Sequence, residues 1–151
     1  MTEPLLSAAR LHDLLGDPSL VVVDCRFSLA DASAGLRAYE HGHLPGAVYA
    51  HLERDLSGEV VRGRTGRHPL PEPGALATRL GGWGISRDSR VVVYDDAGGA
   101  MAARLWFLLR WLGHDAVAVL DGGLPAWTAA GYPLTTDLPR PEARTFVPAL
   151  R

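Results

Sequence analysis

The stretch that decides the fold reads Val91-Val92-Val93-Tyr94-Asp95-Asp96-Ala97-Gly98-Gly99-Ala100-Met101-Ala102-Ala103-Arg104-Leu105-Trp106. A short β-branched run is followed by two carboxylates and a glycine pair, and then by a segment with helical periodicity. This order predicts a strand, a loop and a helix N-terminus, whose backbone N–H groups converge on a site for negative charge. At the end of the strand, where a nucleophile would be expected, the chain has Asp95. We expect its carboxylate to lie at the positive end of the helix dipole and to repel an incoming anion.

The composition limits the classes of protein to which the chain can belong. Its 151 residues fit one domain, and 47% hydrophobic with 21% charged residues is typical of a globular protein. The formal net charge is −2, so there is no basic field for nucleic acid or for an anionic membrane surface. The apolar runs are far shorter than a membrane span. The single cysteine excludes an internal disulfide and a cysteine-rich metal site, and it predicts a cytoplasmic location.

Strands and helices alternate along the chain, which predicts right-handed βαβ connections and a parallel sheet with helices on both faces. The hydrophobic pattern predicts strands over residues 20–25, 47–52, 91–94 and 116–120. It predicts helices over residues 8–15, 74–80, 100–112 and 125–130, and a loop with a short helix over 31–40. We therefore expect an α/β fold with a single domain over residues 1–134. Residues 135–151 are punctuated by proline and lack periodicity, so they are expected to form a linker or tail.

The carboxyl ends of the strands define the working edge of such a sheet. Asp24, Cys25 and Arg26 lie at the end of one predicted strand. Cys25 could be a thiolate nucleophile or a buried structural thiol. Burial is favoured, because no glycine-rich loop follows and the charge of Asp24 would raise the pKa of the thiol. Asp24 and Arg26 are expected to order the loops at this strand-end rim.

Asp95 and Asp96 allow two interpretations. They could form an acid–base dyad or half of a metal site, or they could cap the helix that follows. Capping is favoured, because neighbouring residues at a strand end point in opposite directions and rarely converge on one ligand. Arg104 either forms an ion pair with a strand-end carboxylate, which is favoured, or reaches into the crevice at the sheet edge.

No metal and no cofactor is predicted. His41 and His43 lie two residues apart without a third ligand at a recognised spacing, and His43 is expected to stabilise the turn at Leu44-Pro45-Gly46 by hydrogen bonding. The sequence contains no phosphate-binding glycine motif and no nucleophile elbow. The long segment 53–73 is rich in Arg, Gly and Pro without apolar periodicity, and such loops are usually functional or cover a partner surface.

A set of motifs, in order and at the expected spacing, resembles the rhodanese-like family. They cover about residues 5 to 135 and comprise Val22-Val23-Asp24-Cys25-Arg26, Gly42-His43-Leu44-Pro45-Gly46-Ala47, His68-Pro69-Leu70-Pro71, Val91-Val92-Val93-Tyr94-Asp95, Ala103-Arg104-Leu105-Trp106, and Leu120-Asp121-Gly122-Gly123 with Ala126-Trp127. The chain is similar in particular to the N-terminal, non-catalytic domain of tandem-domain thiosulfate or 3-mercaptopyruvate sulfurtransferases. The resemblance implies a five-stranded parallel sheet flanked by helices, and a cytoplasmic lineage that moves sulfane sulfur through a cysteine persulfide.

The resemblance also implies a role for the loop after the fourth strand. In the active domain of such proteins a cysteine ends that strand, and Asp95 occupies the matching position here. A carboxylate cannot carry a persulfide, so the chain alone is expected to be inactive, with a pseudo-active site. The expected partner is a C-terminal rhodanese domain of the same protein, and small sulfur-containing anions are expected to be engaged only through it. The expected interdomain face comprises Asp95, Asp96, Ala97, Gly98, Gly99, Ala100, Met101 and Arg104, with part of the arginine-rich loop (Arg62, Arg64, Arg67).

Two alternatives stay open on the sequence alone. The chain could be a stand-alone rhodanese-like module that binds a protein or a small anion, or it could be a weak sulfurtransferase that uses Cys25. A phosphatase of the related Cys-and-Arg loop type is disfavoured, because both its nucleophile and its phosphate-gripping arginine are missing from the loop.

Overall fold

Two valine-rich segments form adjacent strands at the centre of the sheet, because their consecutive valines can be buried on both faces at once. The computed structural model describes residues 3–151. In chain order its elements are β1 (Leu5–Leu6), α1 (Ala8–Leu14), β2 (Leu20–Asp24), α2 (Ala34–His41), β3 (Val48–Tyr49), α3 (Pro73–Gly82), β4 (Arg90–Tyr94), α4 (Ala102–Trp111), β5 (Val117–Leu120) and α5 (Gly123–Ala129).

The five strands pair in the order β1-β5-β4-β2-β3, and every pair is parallel. Val91 of β4 lies opposite Val21 of β2 on one side and Val117 of β5 on the other. This confirms the α/β fold and the five-stranded parallel sheet. The hydrophobic pattern predicted only four strands, because β1 has two residues and is too short to show a periodicity.

The helices cover both faces of the sheet, as predicted. Val23 and Val93 point to the face that packs against α3 and α4. Val22 and Val92 point to the opposite face, where α1, α2 and α5 supply the partners. Because side chains alternate along a strand, each valine run supplies both cores in turn.

Several element boundaries differ from the sequence predictions. Helix α4 begins at Ala102 rather than at residue 100, and residues 100 and 101 still belong to the turn that Gly98 and Gly99 open with left-handed φ values of 75° and 94°. Strand β3 has two residues rather than the six predicted for 47–52. The short helix expected within 31–40 is present as α2.

Residues 135–151, which we call the strap, contain no helix or strand but pack along the domain. Thr135 exchanges backbone hydrogen bonds with His43, and the Arg144 N–H donates to the carbonyl of Gly81 at 2.8 Å. A Cβ atom at Gly81 would lie 2.2 Å from the Arg144 carbonyl oxygen, so only glycine permits this approach. Phe146 is 7% exposed and belongs to the core beside α3 and α4. The strap is therefore not a detached tail, and its continuation into a second domain stays a prediction.

None of the helices within residues 3–151 is both long enough and apolar enough to cross a membrane. The cytoplasmic location stays a prediction.

Candidate functional site

The carboxylate of Asp95 fills the anion cradle formed by its own loop. Its Oδ1 accepts the N–H groups of Ala97 and Gly99, each at 2.9 Å. Its Oδ2 accepts those of Met101 at 2.8 Å and Ala102 at 2.7 Å. The side chain therefore caps the N-terminus of α4 from seven residues away, where the macrodipole favours negative charge. The capping interpretation is confirmed for Asp95.

The backbone around Asp95 is shaped by glycines that allow close approach. Gly98 and Gly99 turn the chain so that successive N–H groups face one point. On the other side, the Leu124 N–H donates to the Asp95 carbonyl at 2.9 Å. A Cβ at Gly123 would lie 2.5 Å from that same carbonyl oxygen, so the start of α5 also requires glycine. The cradle is thus held from both sides.

Asp96 does not share this environment. Asp95 is 1% exposed, whereas Asp96 is exposed to solvent. Because both oxygens of Asp95 are occupied by loop N–H groups while Asp96 lies in solvent, the two carboxylates do not form a shared ligand site. Because the four cradle N–H groups already have an acceptor, an external anion would have to displace a covalently attached carboxylate.

A second buried network lies at the end of β2 and supports the predicted structural role of Asp24 and Arg26. The Arg26 guanidinium donates from Nε and Nη2 to the Asp24 carboxylate and from Nη2 to the carbonyl of Gly42, both Nη2 bonds at 2.7 Å. The Tyr94 hydroxyl donates to Asp24 Oδ2 at 2.7 Å and accepts the Leu44 N–H at 3.2 Å. These bonds join the end of β2, the segment that follows α2, and the end of β4.

Electrostatics in this network favour the charged guanidinium of Arg26 and the neutral phenol of Tyr94. Burial alone would lower the pKa of Arg26, but the hydrogen bonds and charge of Asp24 outweigh it and the pKa is raised. Burial raises the pKa of Tyr94 strongly, and the negative charge of Asp24 adds to the effect. Tyr94 therefore acts as a permanent hydrogen-bond donor to a buried carboxylate.

Cys25 is a buried structural thiol, as favoured from the sequence. It is 2% exposed, and its Sγ lies 3.9 Å from the carbonyl of Val23. Burial raises the pKa of the thiol well above its usual value, and the charges of Asp24 and Asp95 raise it further. The thiolate is the nucleophilic form, so this environment opposes the Cys25-based alternative.

Arg104 does not have the role that the sequence favoured. It forms no ion pair with a strand-end carboxylate of the described residues. Its guanidinium donates instead to the carbonyl of Leu56 at 3.0 Å and to that of Pro69 at 2.9 Å. The favoured ion-pair interpretation was therefore wrong, because backbone carbonyls of the long loop supply the acceptors. Burial without a carboxylate partner lowers the pKa of Arg104.

The long loop 53–73 is consequently anchored to the first turn of α4. Within this loop, the Gly58 N–H donates to the Pro69 carbonyl at 2.9 Å and so joins its two arms. Near its base, His68 Nε2 lies 3.2 Å from Glu53 Oε2. No sequence pattern indicated this imidazole–carboxylate pair, because fifteen residues separate its members and no periodicity relates them.

His43 is buried and makes two hydrogen bonds to backbone carbonyls. Nδ1 lies 2.7 Å from the Tyr39 oxygen and Nε2 lies 2.8 Å from the Asp137 oxygen. The predicted hydrogen-bonding role is confirmed, although the partners are the end of α2 and the strap. His41 bonds separately to the carbonyl of Arg37. The two histidines therefore have separate structural partners.

Sheet order, helix placement and a glycine-rich anion cradle after the central strand together define a rhodanese-type α/β domain. The chain belongs to the rhodanese-like domain family, whose sequence profile matches residues 7–130.

Curated relatives carry sulfurtransferase names. The chain is 58% identical over 132 residues to a probable 3-mercaptopyruvate sulfurtransferase of Pseudomonas aeruginosa, covering 87% of this chain and 46% of that one. It is 44% identical over 140 residues to a putative thiosulfate sulfurtransferase, SseB, of Mycobacterium tuberculosis, covering 91% and 48%. The chain thus spans about half the length of the curated relatives that it matches.

Solved structures of sulfurtransferases share the fold of this chain. The 3-mercaptopyruvate sulfurtransferase of Leishmania major superposes with a TM-score of 0.86 at 31% identity, over 99% of this chain and 42% of that chain. SseA of Escherichia coli superposes with a TM-score of 0.85 at 26% identity, over 99% and 58%.

Proposed function

We propose that this chain is the non-catalytic rhodanese-like domain of a thiosulfate or 3-mercaptopyruvate sulfurtransferase. In this proposal it supports sulfane-sulfur transfer by a cysteine-bearing C-terminal rhodanese domain of the same protein, in the cytoplasm. Membership of the family and the names of the relatives support the reaction class. The roughly half-length match to those relatives supports the presence of a second domain.

The observation that carries the proposal is the position of the Asp95 carboxylate. In a persulfide-forming loop, backbone N–H groups hold the terminal sulfur anion beside a cysteine. Here four N–H groups are occupied by a carboxylate, which cannot accept or release a sulfane sulfur. The only cysteine of the chain, Cys25, is buried, and its pKa is raised. Neither residue can serve as the sulfur carrier.

The supporting role is proposed for the carboxyl edge of the sheet. The loop from Asp95 to Met101 is closed by its own hydrogen bonds and leads directly into α4, whose Arg104 anchors the loop 53–73. A domain docked there would gain a preformed wall for its own active site, and small sulfur-containing anions would be turned over only in that domain.

The test compares the chain alone with the same chain joined to a cysteine-bearing rhodanese domain. Thiocyanate formation from thiosulfate and cyanide, and sulfur release from 3-mercaptopyruvate, are measured for both. Mass spectrometry checks each polypeptide for an added sulfur atom. We expect no turnover and no persulfide on the chain alone, and both in the joined protein. Turnover by the chain alone that disappears in Cys25→Ser would refute the proposal and favour the Cys25 alternative.

A second variant tests whether the chain is inactive because it lacks a nucleophile or because its loop cannot hold a sulfur anion. Asp95→Cys places a thiolate beside the same loop N–H groups, which lower the pKa of a thiol. We expect this variant to gain one sulfur atom from thiosulfate in the mass spectrum, whereas Asp96→Cys on the exposed neighbour does not. An Asp95→Cys variant that folds and stays unmodified would show that the cradle is not the remnant of a persulfide loop.

A further inference from the structure

The outer part of the long loop forms a preorganised arginine-bearing turn, which we call the arginine tip (residues 59–67). Its base is closed by the hydrogen bond between the Gly58 N–H and the Pro69 carbonyl. Arg104 donates to the carbonyls of Leu56 and Pro69, one on each arm of the base. The tip therefore projects from a fixed point next to the N-terminus of α4, on the same edge of the sheet as the Asp95 cradle.

The tip itself is held in one turn by local hydrogen bonds. The N–H groups of Arg64 and Thr65 donate to the carbonyl of Val61, each at 3.0 Å. The Val61 N–H donates to Thr65 Oγ1 at 3.0 Å. Gly63, with a φ of 82°, allows the chain to reverse between Arg62 and Arg64. Because the backbone is already ordered, presenting these cations costs little further conformational entropy.

The three arginines of the tip have no anionic partner among residues 3–151, and all three are exposed. Glu59 is the only acidic residue between positions 56 and 71. Other arginines near strand ends are already committed: Arg26 to Asp24, Arg37 to Asp31, and Arg104 to loop carbonyls. The uncommitted positive charge at this edge is therefore concentrated in Arg62, Arg64 and Arg67.

We infer that the arginine tip is a capture site for small anionic sulfur donors, whose sulfonate-like or carboxylate oxygens it holds before they reach the catalytic cysteine. The identity of the anion rests on the proposed function. The cradle cannot serve this purpose, because Asp95 fills it. Guanidinium groups match the geometry of such oxyanions, and exposed clusters of one sign raise the local concentration of the opposite ion. The interaction is weak and salt-dependent, as expected for exposed charges.

The direct test is a titration of the chain with sodium thiosulfate, followed by NMR of backbone amides and arginine Nε–H groups. We expect saturable shifts at residues 60–67, and we expect them to disappear in the triple variant Arg62→Gln, Arg64→Gln, Arg67→Gln. Sulfate should compete, since the site recognises charge and shape rather than sulfane sulfur. Raising the ionic strength tenfold should weaken the apparent affinity by roughly fivefold or more.

A matched control removes the same charge elsewhere. Arg87, Arg140 and Arg144 are also exposed, and they lie near the amino ends of β2 and β4. The triple variant with glutamine at these three positions should keep the shifts at residues 60–67. Equal loss in both triple variants, or shifts spread evenly over all exposed arginines, would overturn the inference, because either result indicates a general charge effect.

The inference and the proposed function can fail separately. The titration needs no turnover, so its failure leaves the supporting role intact. In the protein joined to a cysteine-bearing domain, the tip variant should lower kcat/KM for thiosulfate about fivefold at low salt with kcat unchanged. An active joined protein in which the tip and control variants have the same kcat/KM would contradict capture alone, whereas an inactive joined protein would contradict the supporting role.

Discussion

Replacing Asp95 with asparagine tests whether its carboxylate holds the cradle together. The substitution keeps the shape of the side chain but exchanges one acceptor oxygen for an NH₂ group. In the native chain the two oxygens accept four N–H groups. In Asp95→Asn the remaining oxygen can accept only two of them, and the NH₂ group faces the other two donors.

The size of the effect follows from which donors are lost. The Ala102 N–H is the deepest of the four, whereas Ala97 is exposed and Gly99 is half-buried. We expect the amide oxygen to keep the deep pair, Met101 and Ala102, and the outer pair to turn towards water. Two charge-assisted hydrogen bonds, each worth about 1.5 kcal/mol, are then lost, so the free energy of unfolding should fall by about 3 kcal/mol. For a domain of this size the Tm should fall by roughly 6–12 °C.

Urea unfolding followed by tryptophan fluorescence measures this difference directly. The control is Asp96→Asn, in which the same change is made at the exposed neighbour; its effect should stay within about 0.5 kcal/mol. A destabilisation of Asp95→Asn no larger than that of the control would refute the idea that the carboxylate organises the loop.

Three further predictions concern buried groups elsewhere. Tyr94→Phe removes the hydroxyl that donates to Asp24 and should lower the free energy of unfolding by about 1–2 kcal/mol in urea titrations; no loss would mean that this hydrogen bond is dispensable. Phe146→Ala leaves a cavity in the core and should lower the free energy of unfolding by about 3 kcal/mol. Val147→Ala, at a site 77% exposed, should leave that free energy nearly unchanged; equal effects of the two variants would show that the strap is not docked. Cys25 should resist thiol reagents in the native state. Because its pKa is raised on folding, its contribution to stability is present below pH 9.0 and is lost as the pH rises above that value, so a flat unfolding free energy from pH 8 to pH 10 would contradict its burial.

The fold could be predicted because its signals are local. Each valine run is short, apolar at consecutive positions and β-branched, which favours a strand covered on both faces. Because these strands alternate with amphipathic helices along the chain, a parallel sheet with helices on both faces is the expected arrangement. The loop after β4 was predictable for the same reason: glycines next to a strand end and a helix start restrict its course.

The contacts that could not be predicted depend on residues far apart in the chain. Arg104 reaches carbonyls at positions 56 and 69, and no side-chain pattern marks a backbone acceptor. The strap was predicted to be a linker or tail because prolines remove periodicity, but extended chain can dock without any repeat. An apolar side chain alone could not mark the docking point, since Phe146 is 7% exposed whereas Leu138 and Val147 in the same segment are 66% and 77% exposed.

At the end of β4, one side chain decides both the stability of the loop and its chemistry. Converging N–H groups are costly to leave without an acceptor, so a rhodanese-like loop requires a negative group at its centre. A transferable sulfur anion meets that requirement only transiently, whereas the Asp95 carboxylate meets it permanently. In the proposed supporting role, a permanently filled loop would give this edge of the domain the rigidity that a neighbouring active site requires. Because Asp95 occupies the cradle, the proposed capture of small anions falls to Arg62, Arg64 and Arg67 on the adjoining loop.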